Sequence, residues 1–265
     1  MRILFIGDIV GRPGRQATAA LLPRLLSEQG PDLVIANAEN AAAGLGITEK
    51  TADFLFDCGV DVLTTGNHVW AQREALPYVS REPRLLRPAN YPPGAPGHGW
   101  YVATTAGGEQ VAVVNLLGRV FMDPVDCPFR VADALLREAL PPGVPVIVDF
   151  HAEATSEKQA LGRYLDGRVA AVLGTHTHVQ TADPVILPGG TAYLSDVGMT
   201  GPTESVIGVV TEVSVRRFLT GLPARFEVPR GGPCILSAAV VEYNLQLGRA
   251  QDLQRLQLSY SSSSD

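Results

Sequence analysis

The chain of 265 residues predicts a single α/β domain, with parallel strands in its first part and antiparallel hairpins later. Three observations carry this reading. Short continuous apolar runs, Ile3-Leu4-Phe5-Ile6 first among them, read as strands covered on both faces. Stretches with Ala and Leu at helical spacing alternate with these runs, the rhythm of parallel strands joined by right-handed crossovers. Finally, 27 glycines and 20 prolines call for many tight turns rather than a helical bundle. A hydrophobic fraction of 46% against 18% charged supplies a substantial core and excludes a disordered chain.

Taken in order, the first strand, Ile3 to Ile6, stops at Gly7-Asp8. A helix is expected over Gln16 to Leu26, with Gly11, Gly14 and Arg15 in a tight loop before it. Asp32 to Ala38 is a second strand ending at Glu39-Asn40, and Thr48 to Cys58 a helix capped by Thr48 and closed by Gly59. Val60 to Thr65 is a third strand, ending at Gly66-Asn67-His68. The Pro/Gly-dense stretch Pro83 to Gly99 is a surface loop, and strands Trp100 to Thr104 and Gln110 to Leu116 flank a hairpin turn. Val131 to Leu140 reads as a helix stopped by Pro141-Pro142. Strands Val144 to Phe150 and Val169 to Leu173 bracket a helix over Ser156 to Leu165. Val185 to Leu187 and Thr191 to Leu194 flank Pro188-Gly189-Gly190, Asp196 to Pro202 is a loop, and Phe226 to Val228 and Ile235 to Tyr243 are late strands. The domain is expected to span 1–258, with a disordered tail over 259–265.

Composition narrows the function. A net charge of −6, without a basic run, argues against a nucleic-acid groove and hence against a nuclease. No stretch approaches the ~20 apolar residues of a membrane span, and the opening apolar run is too short for a signal peptide. Cys58, Cys127 and Cys234, odd in number and widely spaced, fit reduced thiols in a cytoplasmic protein. Nothing in the helical faces excludes a homo-oligomer.

Residues able to bind metal recur at one structural position, directly after a buried strand. They are Asp8, Glu39-Asn40, Asn67-His68, His151 and the pair His176 and His178. Carboxyl ends of strands form the ligand crevice of open α/β sheets. Each residue alone has an ordinary reading as a turn, a cap or a core imidazole. Their joint recurrence, including four of the five histidines, points to one site. Carboxylate, amide oxygen and imidazole together suit borderline divalent metals, and so many candidates suit two ions sharing a ligand, the usual device for displacement at phosphorus.

The motifs GD at 7–8, GNHVW at 66–70, DFHAEATSEK at 149–158 and GTHTHVQTAD at 174–183 resemble the calcineurin-like metallophosphoesterase superfamily. Within it, GDIVGRPGR, ENAAAG and DVGMTGP resemble the YmdB-like branch, whose members are 2′,3′-cyclic-nucleotide phosphodiesterases. The resemblance implies two facing mixed β-sheets flanked by helices, and a two-metal centre. It implies that Asp8 and His178 serve one metal, Glu39 bridges, and Asn67, His151 and His176 serve the other. Where the superfamily has a histidine two residues after the first Asp, this chain has Val10, and Asn40 is the expected substitute. That oxygen-rich set leans toward Fe or Mn over Zn. His68 resembles the histidine that protonates the leaving oxygen, after attack by a hydroxide bridging the ions.

Weaker expectations concern the neighbours: Asp149 orienting His151, Arg15 reaching a phosphate, Thr155 and Ser156 capping a helix, and His98 lying exposed. Two rival readings share the same residues: a broad phosphomonoesterase or phosphodiesterase, and a regulatory metal- or nucleotide-binding protein with vestigial hydrolysis.

Overall fold

The computed structural model describes residues 1–261. The chain opens with β1 (Arg2–Ile6), β2 (Asp8–Ile9), α1 (Gly11–Gln29), β3 (Leu33–Asn37), α2 (Glu49–Asp57) and β4 (Val62–Thr64). There follow α3 (Leu76–Arg81), β5 (Trp100–Thr104), β6 (Gln110–Leu117), α4 (Pro128–Ala134), β7 (Val146–His151), α5 (Thr155–Tyr164) and β8 (Ala171–Thr175). The last part holds β9 (Val185–Ile186), β10 (Ala192–Leu194), β11 (Met199–Pro202), α6 (Thr211–Thr220), β12 (Pro233–Asn244) and β13 (Arg249–Ser261).

These strands form two mixed sheets. The seven-stranded sheet runs β2-β11-β12-β1-β3-β4, with β13 on the free side of β12; the six-stranded sheet runs β5-β6-β7-β8-β10-β9. β1, β3 and β4 are parallel, as are β6, β7, β8 and β10. Strand periodicity explains the unbroken apolar runs. Ile3, Phe5, Leu33, Ile35 and Val62 point between the sheets, against Val111, Val113, Ile147 and Leu173. The alternate residues Leu4, Ile6, Val34, Ala36 and Leu63 point outward against Leu22 and Leu25 of α1 and Leu55 of α2. Both faces are therefore buried, and the runs cannot alternate with polar residues.

The register brings the strand ends to one edge. Ile6 pairs with Ala36, and Ala36 with Leu63; in the other sheet Leu117 pairs with His151, and His151 with Thr175. The loops after β1, β3, β4, β7 and β8 all start there.

Several expectations change. α1 begins at Gly11, so Gly11, Gly14 and Arg15 form its first turn rather than a loop. A Cβ on Gly14 would lie 2.3 Å from the Thr200 carbonyl oxygen, so glycine lets this turn rest on β11. Arg15 donates to the carbonyl of Ala41 and so ties α1 to the loop after β3. Met199–Pro202, expected as loop, is a strand between β2 and β12. Phe226 to Val228, expected as a strand, pairs with no strand among the described residues; a backbone bond, Val210 N–H to Glu227 O at 2.8 Å, holds it beside α6. Ser259–Ser261, expected in the tail, ends β13 opposite Pro233–Ile235, and 262–265 lie outside the described residues. Helix α4 ends at Ala134 and continues as a π-turn, Leu135–Ala139. Thr48 does cap α2, through reciprocal bonds with Thr51. Thr155 and Ser156 do not cap α5, whose N-cap is Ala154 without a side-chain bond.

At the end of β1 the chain must step sideways from β12 to β11. A Cβ on Gly7 would lie 1.8 Å from the Gly198 carbonyl oxygen, backbone that has no room to retreat. Gly7→Ala is expected to destabilise the protein by about 2–3 kcal/mol, read as a lower denaturation midpoint.

Candidate metal centre

Each predicted site residue lies at or just beyond the end of a main strand, and the two sheets bring them together. Glu39, His151 and His176 each offer a ligand atom, and those atoms lie within 4.8 Å of one another. The Glu39 carboxylate is buried, with Oε1 3.1 Å from His151 Nε2 and Oε2 accepting from His68 N–H at 3.1 Å. Asn67 Oδ1 lies 3.2 Å from His151 Nε2, and His176 Nδ1 lies 3.0 Å from the same nitrogen. Gly66 makes this approach possible: a Cβ there would fall 2.3 Å from His151 Nε2 and 2.4 Å from Glu39 Oε2.

Asp8 sits at the back of the cluster, fully buried. Its Oδ2 accepts from His176 N–H at 3.2 Å, while its Oδ1 has no hydrogen-bond partner. The Asn40 amide bridges three groups: His68 Nδ1 at 2.9 Å from Oδ1, and Glu39 Oε1 and His178 Nε2 at 3.2 and 3.1 Å from Nδ2. Val10 is buried beside Gly201 and Gly208 and brings no donor atom to the cluster.

Protonation can be read from the partners. Thr175 Oγ1 donates to Asp149 Oδ1 at 2.7 Å, so it must accept from His151 Nδ1, 2.8 Å away. His176 Nε2 faces Glu153 Oε2 at 3.1 Å, and His178 Nδ1 faces the Ile207 carbonyl at 2.8 Å. Each of these imidazoles thus spends its outer N–H on an oxygen and turns its other nitrogen toward the centre. This is how ligating histidines are held.

The charges follow. Burial alone would raise the Glu39 carboxyl, but His151 and His68 pull it well below the usual range. Burial lowers the His151 imidazole, yet Glu39, Asp8 and Asp149 outweigh it and lift it to about 9. His176 is pushed down to about 3 by burial and by His151. Burial raises Asp8, against the pull of His178 and His151. A proton on His151 Nε2 meets the Glu39 carboxylate here; a divalent ion would take that proton's place among Glu39, Asn67, His151 and His176, and Asp8 Oδ1 has no hydrogen-bond partner among the described residues. The donor set fits divalent metal ions.

The cluster borders a cavity of about 790 Å³, within the usual size range of ligand pockets. Glu39, Asn40, His68, His176 and His178 line it, as do Ile207, Phe218 and Phe226.

A sequence model described as YmdB-like protein matches residues 4–256. The chain belongs to the YmdB-like family. A Bacillus subtilis relative named 2′,3′-cyclic-nucleotide 2′-phosphodiesterase is 49% identical over 256 residues, 97% of this chain and 96% of its own length. The crystal structure of a hypothetical protein from Thermus thermophilus superposes with a TM-score of 0.92 at 45% identity, covering 98% of this chain and 99% of that one. A Mycoplasma pneumoniae structure described as a novel phosphatase gives 0.91 at 36% identity, covering 98% and 93%.

In this YmdB-like chain most supports of the cluster are not visible in the sequence. Asp149, expected to orient His151, does so through Thr175, and it also accepts from Asn37 and Thr64. Burial lifts its carboxyl to about 6, against His151 and the two threonines. Lys158, inside the DFHAEATSEK motif, is nearly fully buried and donates to Asp196 Oδ2 at 2.7 Å and Thr175 O at 2.8 Å. Asp196 in turn accepts from the N–H and hydroxyl of Thr177, between the paired histidines. Glu157, beside Lys158, accepts from the N–H groups of Arg119 and Val120 and fixes the loop after β6. The one available signal was a lysine and a glutamate one step apart in a run otherwise rich in ligand candidates.

Thr175→Val removes the acceptor for His151 Nδ1 while keeping the side chain's shape. It is expected to weaken divalent-metal binding about 10–100-fold, measured by metal titration on stripped protein.

Proposed function

We propose that this chain is a metal-dependent phosphodiesterase that opens 2′,3′-cyclic nucleotides. It is an enzyme, a hydrolase of phosphoester bonds, in keeping with the activities named for its relatives from Bacillus subtilis and Mycoplasma pneumoniae. One observation carries the reading: inward-turned imidazoles and buried carboxylates meet at the border of a ligand-sized cavity, with His68 on its wall. Asp8, Glu39, Asn40 and His178 would hold one ion, and Glu39, Asn67, His151 and His176 the other. Bound there, such ions supply water that ionises near neutral pH and positive charge for the phosphoryl oxygens. Iron or manganese suits an oxygen-rich first site better than zinc.

The chain's own residues do the rest. Glu39 accepts from the backbone N–H of His68, and Asn40 accepts from its Nδ1, so the ring is fixed from two sides. With Nδ1 so engaged, Nε2 is the nitrogen left to pass a proton to the departing ribose oxygen. Histidine suits this step because it exchanges protons near neutral pH. Among the described residues no helix is long and apolar enough to cross a membrane, consistent with a substrate taken from water.

Chelation is expected to abolish hydrolysis, and manganese or iron to restore it. Parallel assays on 2′,3′-cyclic AMP, 3′,5′-cyclic AMP, nitrophenyl mono- and diesters and short RNA separate this reading from a broad phosphatase. A metal-loaded preparation that cleaves none of them would favour a binding protein instead. His68→Ala is expected to lower kcat about 10²–10⁴-fold at unaltered metal content; wild-type turnover would remove His68 from the reaction.

A further inference from the structure

We infer that the part of the cavity wall built around Phe226 is the stacking platform for the substrate's nucleobase. The inference rests on the cyclic-nucleotide reading above and adds a residue that sets which substrates are preferred. One cavity joins His68, His176 and His178 to Phe218, Phe226 and Arg217, so a ligand whose phosphate meets the first group extends toward the second. A cyclic nucleotide is such a ligand: an anionic end, a sugar, and a flat aromatic base.

Phe226 is placed as a fixed wall although it lies in neither helix nor strand. Glu227 O accepts from Val210 N–H at 2.8 Å, at the start of α6. Val228 packs against Gly44, where a Cβ would meet Val228 Cγ2 at 2.4 Å, and against Gly11, at 3.0 Å from Cγ1. Both glycines have positive φ, so side chains are excluded there on two counts. Phe226 is 51% exposed. Arg217 lies over it with Cζ 4.9 Å from the ring centroid, an arrangement that orients the ring and adds a cation. A half-exposed phenyl beside a guanidinium, opening into a reaction cavity, has the chemistry of a base-stacking surface.

The wall also implies how much the base matters. Arg217 and Arg225 line the cavity beside Phe226, so guanidinium donors stand next to the stacking ring. Stacking itself is tolerant of base identity. The platform should therefore distinguish nucleotides from cyclic phosphates lacking a base.

The test compares kcat/KM for 2′,3′-cyclic AMP and for glycerol 1,2-cyclic phosphate in wild type, Phe226→Ala and Phe226→Trp. The ratio is expected to fall about 10–100-fold in Phe226→Ala and to be retained in Phe226→Trp. An unchanged ratio in Phe226→Ala overturns the platform while leaving the phosphodiesterase reading intact. Should it come with a changed oligomeric state, the wall is a contact between copies instead. Calorimetric binding of 3′-AMP to the same proteins separates the two readings. If wild type hydrolyses neither cyclic phosphate, the reaction fails, and the platform then stands or falls on whether 3′-AMP binding depends on Phe226.

Discussion

The burial of unlike charges at one sheet edge is the constraint on which the rest of the structure depends. Asp8, Glu39, Asp149 and His151 are all excluded from water. An unpaired buried charge costs several kcal/mol even after relaxation, so none can be kept without dedicated partners. The fold meets this by bringing two sheets' strand ends together, so that each charge finds hydrogen-bond donors from neighbouring strands. Glu39 draws on His68, Asn40 and His151; Asp149 draws on Asn37, Thr64 and Thr175. Among these described groups Asp8 alone keeps an oxygen without a hydrogen-bond partner, with only His151 Nδ1 near it at 3.8 Å, and that exception is where a cation fits best.

The same constraint explains why the site is layered. Groups that face the centre are held by groups that never reach it. Thr175 illustrates this: its hydroxyl passes the orientation of Asp149 to His151, and its carbonyl receives Lys158. Lys158 and Asp196 are a buried ion pair, and such a pair is a weak source of stability compared with apolar packing. Its evident use is geometric, since Asp196 also binds both donors of Thr177.

Much of this was legible in the sequence, for a local reason. A residue at the end of a buried strand in an α/β sheet lies at the ligand edge, so Asp8, Glu39, Asn40, Asn67, His68, His151, His176 and His178 are recognisable by their joint recurrence there. The supports are not, apart from Asp149 beside His151. Asn37, Asp149 and Thr175 sit inside strands, and their partners are set by register across β3, β7 and β8, which one sequence does not reveal. β13 escaped notice because its outer face is polar and only residues such as Ala250 and Leu253 turn inward. The region 203–230 was read least well: its α6 was not anticipated, and Phe226 to Val228 looks like a strand fragment. Its place is fixed by Gly11 and Gly44, far away in sequence.

Strain at the paired histidines ties these levels together. His176 and His178 have φ of 101° and 66°, in the left-handed region that side chains avoid. Such conformations cost about 1–3 kcal/mol each and persist only where the surroundings impose them. Here the surroundings are identifiable: Asp8 takes the His176 N–H, Asp196 grips Thr177, and the Ile207 carbonyl fixes the His178 ring. The loop is thus positioned by three partners drawn from distant parts of the chain. The contact to Ile207 also joins the histidine pair to the 203–230 region that carries Phe226, so the two groups of cavity-lining residues are tied to one another.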